Sequence, residues 1–74
     1  MSDCEELKRR LYVLESYLVR INWDLQDTEL ALKIDKYYGI ERPSVKMHYD
    51  WLKKKKNEVE REIEELKKKL VACK

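Results

Sequence analysis

Apolar side chains recur along this chain at alternating spacings of four and three. The first half carries Leu7, Leu11, Leu14, Leu18, Ile21, Leu25, Thr28 and Leu32, and the second carries Val45, Tyr49, Leu52, Lys56, Val59, Ile63, Leu66 and Leu70. That spacing is the heptad seam of helices packed along their length. Taken inward from the two ends, the residues pair Leu7 with Leu70, Leu11 with Leu66, and so on to Leu32 with Val45. The two numbers of every pair sum to 77. Two helices share one seam only if their layers meet in step, so the sequence predicts an antiparallel two-helix coiled-coil hairpin, an all-α fold, in a definite register. The same sum brings Cys4 opposite Cys73.

The boundaries follow from local signals, and the 74 residues read as a single domain. Ser2 and Glu5 form a Ser-x-x-Glu capping box, and Asp3, Glu5 and Glu6 suit the positive end of a helix dipole. The first helix is expected over about residues 3 to 38, with Gly39 supplying a left-handed cap. Residues 39 to 43 are expected to turn, and a second helix to run over about 44 to 72. Pro43 or Ser44 marks its start, Ser44 offers a cap, and Lys67, Lys68 and Lys69 suit its end. Two layers break the apolar seam. Lys56 faces Ile21, where its aliphatic stem can lie along the seam while the ammonium reaches water, and Thr28 faces Tyr49, which leaves two hydroxyls in need of partners. A polar seam residue commonly fixes register at some cost in stability.

Helices of this length, each about 50 Å, make a rod with no globular interior. No enzyme-sized pocket follows from it. No glycine-rich phosphate loop, nucleophile elbow or zinc-ligand spacing occurs in the sequence, so an enzyme or a cofactor protein is not expected. His48 is the one histidine and, with both cysteines spent on a staple, lacks companions for a metal site. Charged residues make up 43% of the chain, 17 basic against 15 acidic, and the net charge of +2 gives no strong field for nucleic acid. Lys53 to Lys56 are the best nucleic-acid feature. Four consecutive lysines on a helix spread around its circumference, and Glu58, Glu60, Glu62, Glu64 and Glu65 follow, so a solvated face is the preferred reading over a basic module that touches nucleic acid. No stretch approaches the roughly 18 apolar residues of a membrane span, and no basic-then-apolar leader is evident. A Cys4–Cys73 disulfide implies, for a natural chain, secretion or another oxidising compartment.

Composition changes along the rod. The cysteine end, residues 2 to 11 and 57 to 74, is written almost wholly in Glu, Lys, Arg and aliphatics, whereas residues 12 to 52 hold both Trp, all five Tyr, His48, Met47, Gly39 and Pro43. In its capping box, its terminal cysteine pair and the Glu/Lys repeat from Glu58 to Lys69, the chain resembles engineered helical scaffolds, in which strong helix formers and an added staple support a segment chosen for other reasons. The resemblance is one of style and implies a binder, or a scaffold presenting a helical epitope.

Once the seam residues are assigned, a second set of large apolar side chains remains. Tyr12, Val19, Trp23, Leu30, Ile34 and Tyr37 point away from the seam on the first helix, and Met47 and Trp51 do so on the second, near Ala31, Ile34, Tyr38 and His48. A two-helix rod cannot bury both faces of a helix, so these residues face water or a partner. Trp, Tyr and Met are the makeup of binding hot spots. The expected partner is a protein: a receptor, an antibody or a second copy of the chain, the last giving an adaptor that dimerises into a four-helix bundle. At the seam edges, Asp24 with Lys55 and Glu29 with Lys46 are placed to attract.

Overall fold

In a computed structural model, which describes residues 3 to 73, α1 spans Asp3–Tyr38 and α2 spans Pro43–Ala72. They pack along their whole length as an antiparallel hairpin, a rod of 56 × 15 × 14 Å. All sixteen seam residues are buried or half-buried, including Thr28 and Lys56. Ile21, Leu52, Val59 and Ile63 form the buried centre, with Leu11, Leu14, Tyr17, Leu18 and Leu25 packed against it, and Leu66 is buried nearer the cysteine end. Burial of each such side chain contributes about 1.5–3 kcal/mol. One layer of contact between two helices leaves both flanks of the seam open. Leu14, for this reason, is half-buried, while Ile21 and Leu52 are almost wholly enclosed.

The register extends past both ends of the leucine series. At one end Cys4 and Cys73 are joined in a disulfide, with their Cα atoms 5.9 Å apart. At the other, three residues beyond Leu32 and three before Val45, the next layer is Asp35 with Arg42, which keeps the sum of 77. Asp35 is buried, and Arg42 grips its carboxylate with two parallel bonds, Nε to Oδ2 at 2.8 Å and Nη2 to Oδ1 at 2.7 Å. An ion pair closes the turn end where a disulfide closes the other.

The turn has a defined geometry. Gly39 adopts φ +69°, the left-handed conformation that side chains rarely take, and ends α1. Its N–H bonds the Lys36 carbonyl at 3.3 Å while the Ile40 N–H bonds that of Asp35 at 2.8 Å, which satisfies two carbonyls of the last helical turn. The second helix starts at Pro43, one residue earlier than the span of 44 to 72, so the turn is residues 39 to 42. Ser44 does not cap α2. The cap position is Arg42, extended at φ −128° and ψ 90° and without a side-chain cap bond, because Pro43, with its fixed φ and missing N–H, takes the first helical position and draws Ser44 into the first turn. The Arg42 carbonyl accepts from the Val45 N–H at 3.1 Å and the Lys46 N–H at 3.3 Å. Ser2 lies outside the described residues, and with it the capping box. At the far end the Cys73 N–H bonds the Leu70 carbonyl at 3.2 Å.

The polar seam residues are accommodated in different ways. The Thr28 hydroxyl donates to the Asp24 carbonyl one turn earlier at 2.6 Å, so it needs nothing from across the seam. The Tyr49 ring lies 5.2 Å from the Lys53 ammonium. Lys56 is half-buried and has no ion pair among the described residues. Neither of the attractive pairs expected across the seam edges forms. Lys55 turns instead to Glu58 on its own helix, 3.8 Å away, and Asp24–Lys55 and Glu29–Lys46 are absent among the described residues. An exposed pair is worth about 0–1 kcal/mol, too little to hold two long side chains in one geometry across the groove.

Candidate recognition surface

The two helices differ in how many faces they commit to apolar residues. α2 is one-sided, with buried Leu52, Val59, Ile63 and Leu66 along the seam and mostly charged residues elsewhere. α1 is apolar on two sides. Its seam side meets α2, and its other side carries Tyr12, Val19, Trp23, Leu30, Ile34 and Tyr37, all exposed, from Ile34 at 48% to Tyr37 at 83%. Met47 and Trp51 are exposed on α2.

At about 100° per residue, these side chains are not one narrow line. Trp23, Leu30 and Tyr37, seven apart, run straight down the back of α1. Tyr12 and Val19 lie on one shoulder of that line and Ile34 on the other, about 50° away on each side for a helix wound at the heptad period. Ile34 therefore leans toward the flank on which α2 places Trp51 and His48, together with Tyr38 of α1. On that flank the His48 and Trp51 rings stack with centroids 6.1 Å apart, and Tyr38 meets Tyr37 edge to face at 5.0 Å. Tyr12 and Val19 are directed away from this cluster, toward the cysteine end.

Sequence reasoning left Tyr38 and Ile40 out of the candidate set. Tyr38 is 69% exposed and Ile40, in the turn, 50% exposed. Tyr38 had a legible signal in its position beside the seam. Ile40 had none, because it lies outside both periodic series. Asp35 and Arg42 were equally overlooked, although continuing the four-three spacing by one layer reaches both.

The opposite flank of the seam has another character. Asn22, Gln26, Glu29, Lys53, Asn57 and Glu60 help to line an open groove of about 590 Å³ there. Its polar groups carry both signs of charge, without a dominant anion- or cation-binding set. Among the described residues, no three His, Cys, Asp or Glu side chains come together to hold a metal, and no helix is long and apolar enough to cross a membrane. The Arg42 guanidinium has its pKa raised, first by its hydrogen bonds to Asp35 and then by that carboxylate's charge, with burial opposing.

No protein-family model, no curated protein and no solved structure matches the chain.

Proposed function

We propose that this chain is an engineered, disulfide-stapled helical hairpin whose function is protein recognition through its loop-side aromatic surface, as a binder or as a scaffold presenting a helical epitope. One observation carries the reading: Trp23, Leu30, Ile34, Tyr37, Met47 and Trp51 stand exposed on a rod whose seam is already filled without them. A surface this rich in Trp, Tyr and Met, lying outside the seam, has the composition of hot spots, where a few aromatic anchors carry most of the binding energy. Support for engineering comes from the contrast between regular Glu/Lys/Leu ends, stapled in register, and an irregular middle.

The rival is a natural adaptor that buries the same surface against a second copy. An isologous dimer sets a patch on itself. Residues 23 to 54, the span that the register closes around this surface, hold six basic and six acidic side chains, so net charge does not separate the two readings. Sedimentation at micromolar concentration separates the readings. The recognition reading expects a monomer of the 9.1 kDa chain, and a stable dimer that Trp51→Glu dissociates supports the adaptor instead.

A further inference from the structure

We infer that the Asp35–Arg42 ion pair is a positioning device: it fixes the turn so that Ile34 and Tyr38 of α1 and Met47 and Trp51 of α2 are held as one composite surface, read by a partner only in the folded hairpin. The inference rests on the reading of the loop end as a recognition surface. Four observations converge on the pair. Asp35 is the one buried charged side chain among the described residues, 5% exposed, and both its oxygens are taken by the same guanidinium. Its backbone carbonyl receives the Ile40 N–H, the bond that turns the chain out of α1. Arg42 is the cap residue of α2, and its carbonyl receives the first two N–H groups of that helix that can bond backward. Gly39, Ile40, Glu41 and Arg42 are themselves exposed, and the last apolar layer of the seam, Leu32 with Val45, is only half-buried.

The last residue of the seam on α1 and the cap of α2 are therefore clamped to each other by a fork of fixed geometry. A bidentate guanidinium–carboxylate pair fixes orientation as well as distance, which a lysine ammonium cannot do. Without it, the four-residue turn is held by Gly39 and by backbone bonds to the helix on either side, none of which ties α1 to α2, while the disulfide constrains only the opposite end of a 56 Å rod. The side chains at stake stand within one or two turns of the clamp. Ile34 and Tyr38 flank Asp35 on α1, and Met47 and Trp51 follow Arg42 on α2. Order imposed before binding raises affinity by lowering what must be ordered at contact.

Arg42→Ala, Arg42→Lys and the neutral pair Asp35→Asn with Arg42→Gln test the inference by two readouts. Amide hydrogen exchange needs no partner. In Arg42→Ala the Ile40 amide should exchange at least about tenfold faster while the amides of Val59 and Ile63 keep their protection, since local opening is independent of the seam. Two single-domain antibody fragments serve as binding probes, one mapped by alanine scanning to Tyr38 and Trp51, the other to Val19 and Trp23. The first should bind Arg42→Ala about tenfold more weakly and the second unchanged, with Arg42→Lys between wild type and Arg42→Ala because it keeps the charge but not the fork. Unchanged exchange at Ile40 overturns the clamp. Faster exchange with undiminished binding of the first probe overturns its positioning role. Equal weakening of both probes, or lost protection at Val59 and Ile63, identifies a general stability effect and overturns the inference, and the neutral pair repeats the comparison should Arg42→Ala fail to fold. None of these results depends on a natural partner, so failure of the recognition reading would leave the clamp standing as a feature of the turn.

Discussion

Lys56 is the residue whose environment is least matched to its chemistry. It occupies a seam layer opposite Ile21, is half-buried, and has no ion pair among the described residues. Lys56→Leu should stabilise the hairpin by about 1 kcal/mol in urea unfolding, because a methyl-ended side chain completes the layer. A loss of stability would show that the ammonium makes a contribution in place. Burial grades the cost of the reverse change. Ile21→Ala, at 2% exposure, should cost about 2–5 kcal/mol, while Leu14→Ala, half-buried, should fall at or below the lower end of that range. At this scale the seam was legible because its apolar members repeat in step. Asp35 and Arg42 were not, since a charged residue in a seam position looks like the end of the pattern until its opposite number is checked for the opposite charge. The pair is insensitive to neutral pH on the arginine side. A raised cation pKa keeps its contribution at every pH below the ordinary arginine value and loses it only as pH climbs through the still higher folded value.

Helix ends show where sequence signals compete. Gly39 ended α1 as expected because only a left-handed residue closes that turn cheaply, at φ +69°. Nothing lies within 4 Å of where a Cβ would sit, so Gly39→Ala meets no clash, and its cost should be the backbone strain alone, about 1–2 kcal/mol in thermal unfolding. A neutral or stabilising effect would mean that the turn tolerates another conformation. Ser44 was a reasonable cap by residue type, yet proline's fixed φ at position 43 outranked it, and the helix began at Pro43, the earlier of its two expected starts, without a side-chain cap. The expected Asp24–Lys55 pair across the groove failed for a related reason. Flexible lysines within three or four residues of a glutamate on the same helix have a nearer partner, as Lys55 has in Glu58.

Across the whole molecule, two closures bracket the seam, a covalent one at Cys4–Cys73 and an ionic one at Asp35–Arg42. Joining residues 69 apart constrains almost the entire unfolded chain, and reduction should cost about 4 kcal/mol in the chain-entropy description, lowering the unfolding temperature while the far-ultraviolet helical signal at 25 °C, about room temperature, persists. Collapse of helicity on reduction would show that the seam alone is insufficient. Antiparallel packing, register and terminal pairing were all legible because one arithmetic rule governs them. The recognition surface was legible as a set of residues and, through the register, as a flank shared by Tyr38, Ile34, His48 and Trp51. The ring contacts of His48 with Trp51 and of Tyr37 with Tyr38 were not, because periodicity assigns a side chain to a face and leaves its rotamer open.

The central claim is that the hairpin folds on its seam and leaves the aromatic surface spare. Thermal unfolding of a single variant carrying Trp23→Glu, Leu30→Lys, Tyr37→Glu and Trp51→Lys, followed by circular dichroism, tests it most directly. The account predicts full helicity and a midpoint within about 4 °C of the parent, the shift expected for less than about 1 kcal/mol in a domain of this size. A midpoint lowered by more than about 10 °C, or loss of the cooperative transition, would contradict it and place those four side chains in a core that an obligate partner or second copy must complete.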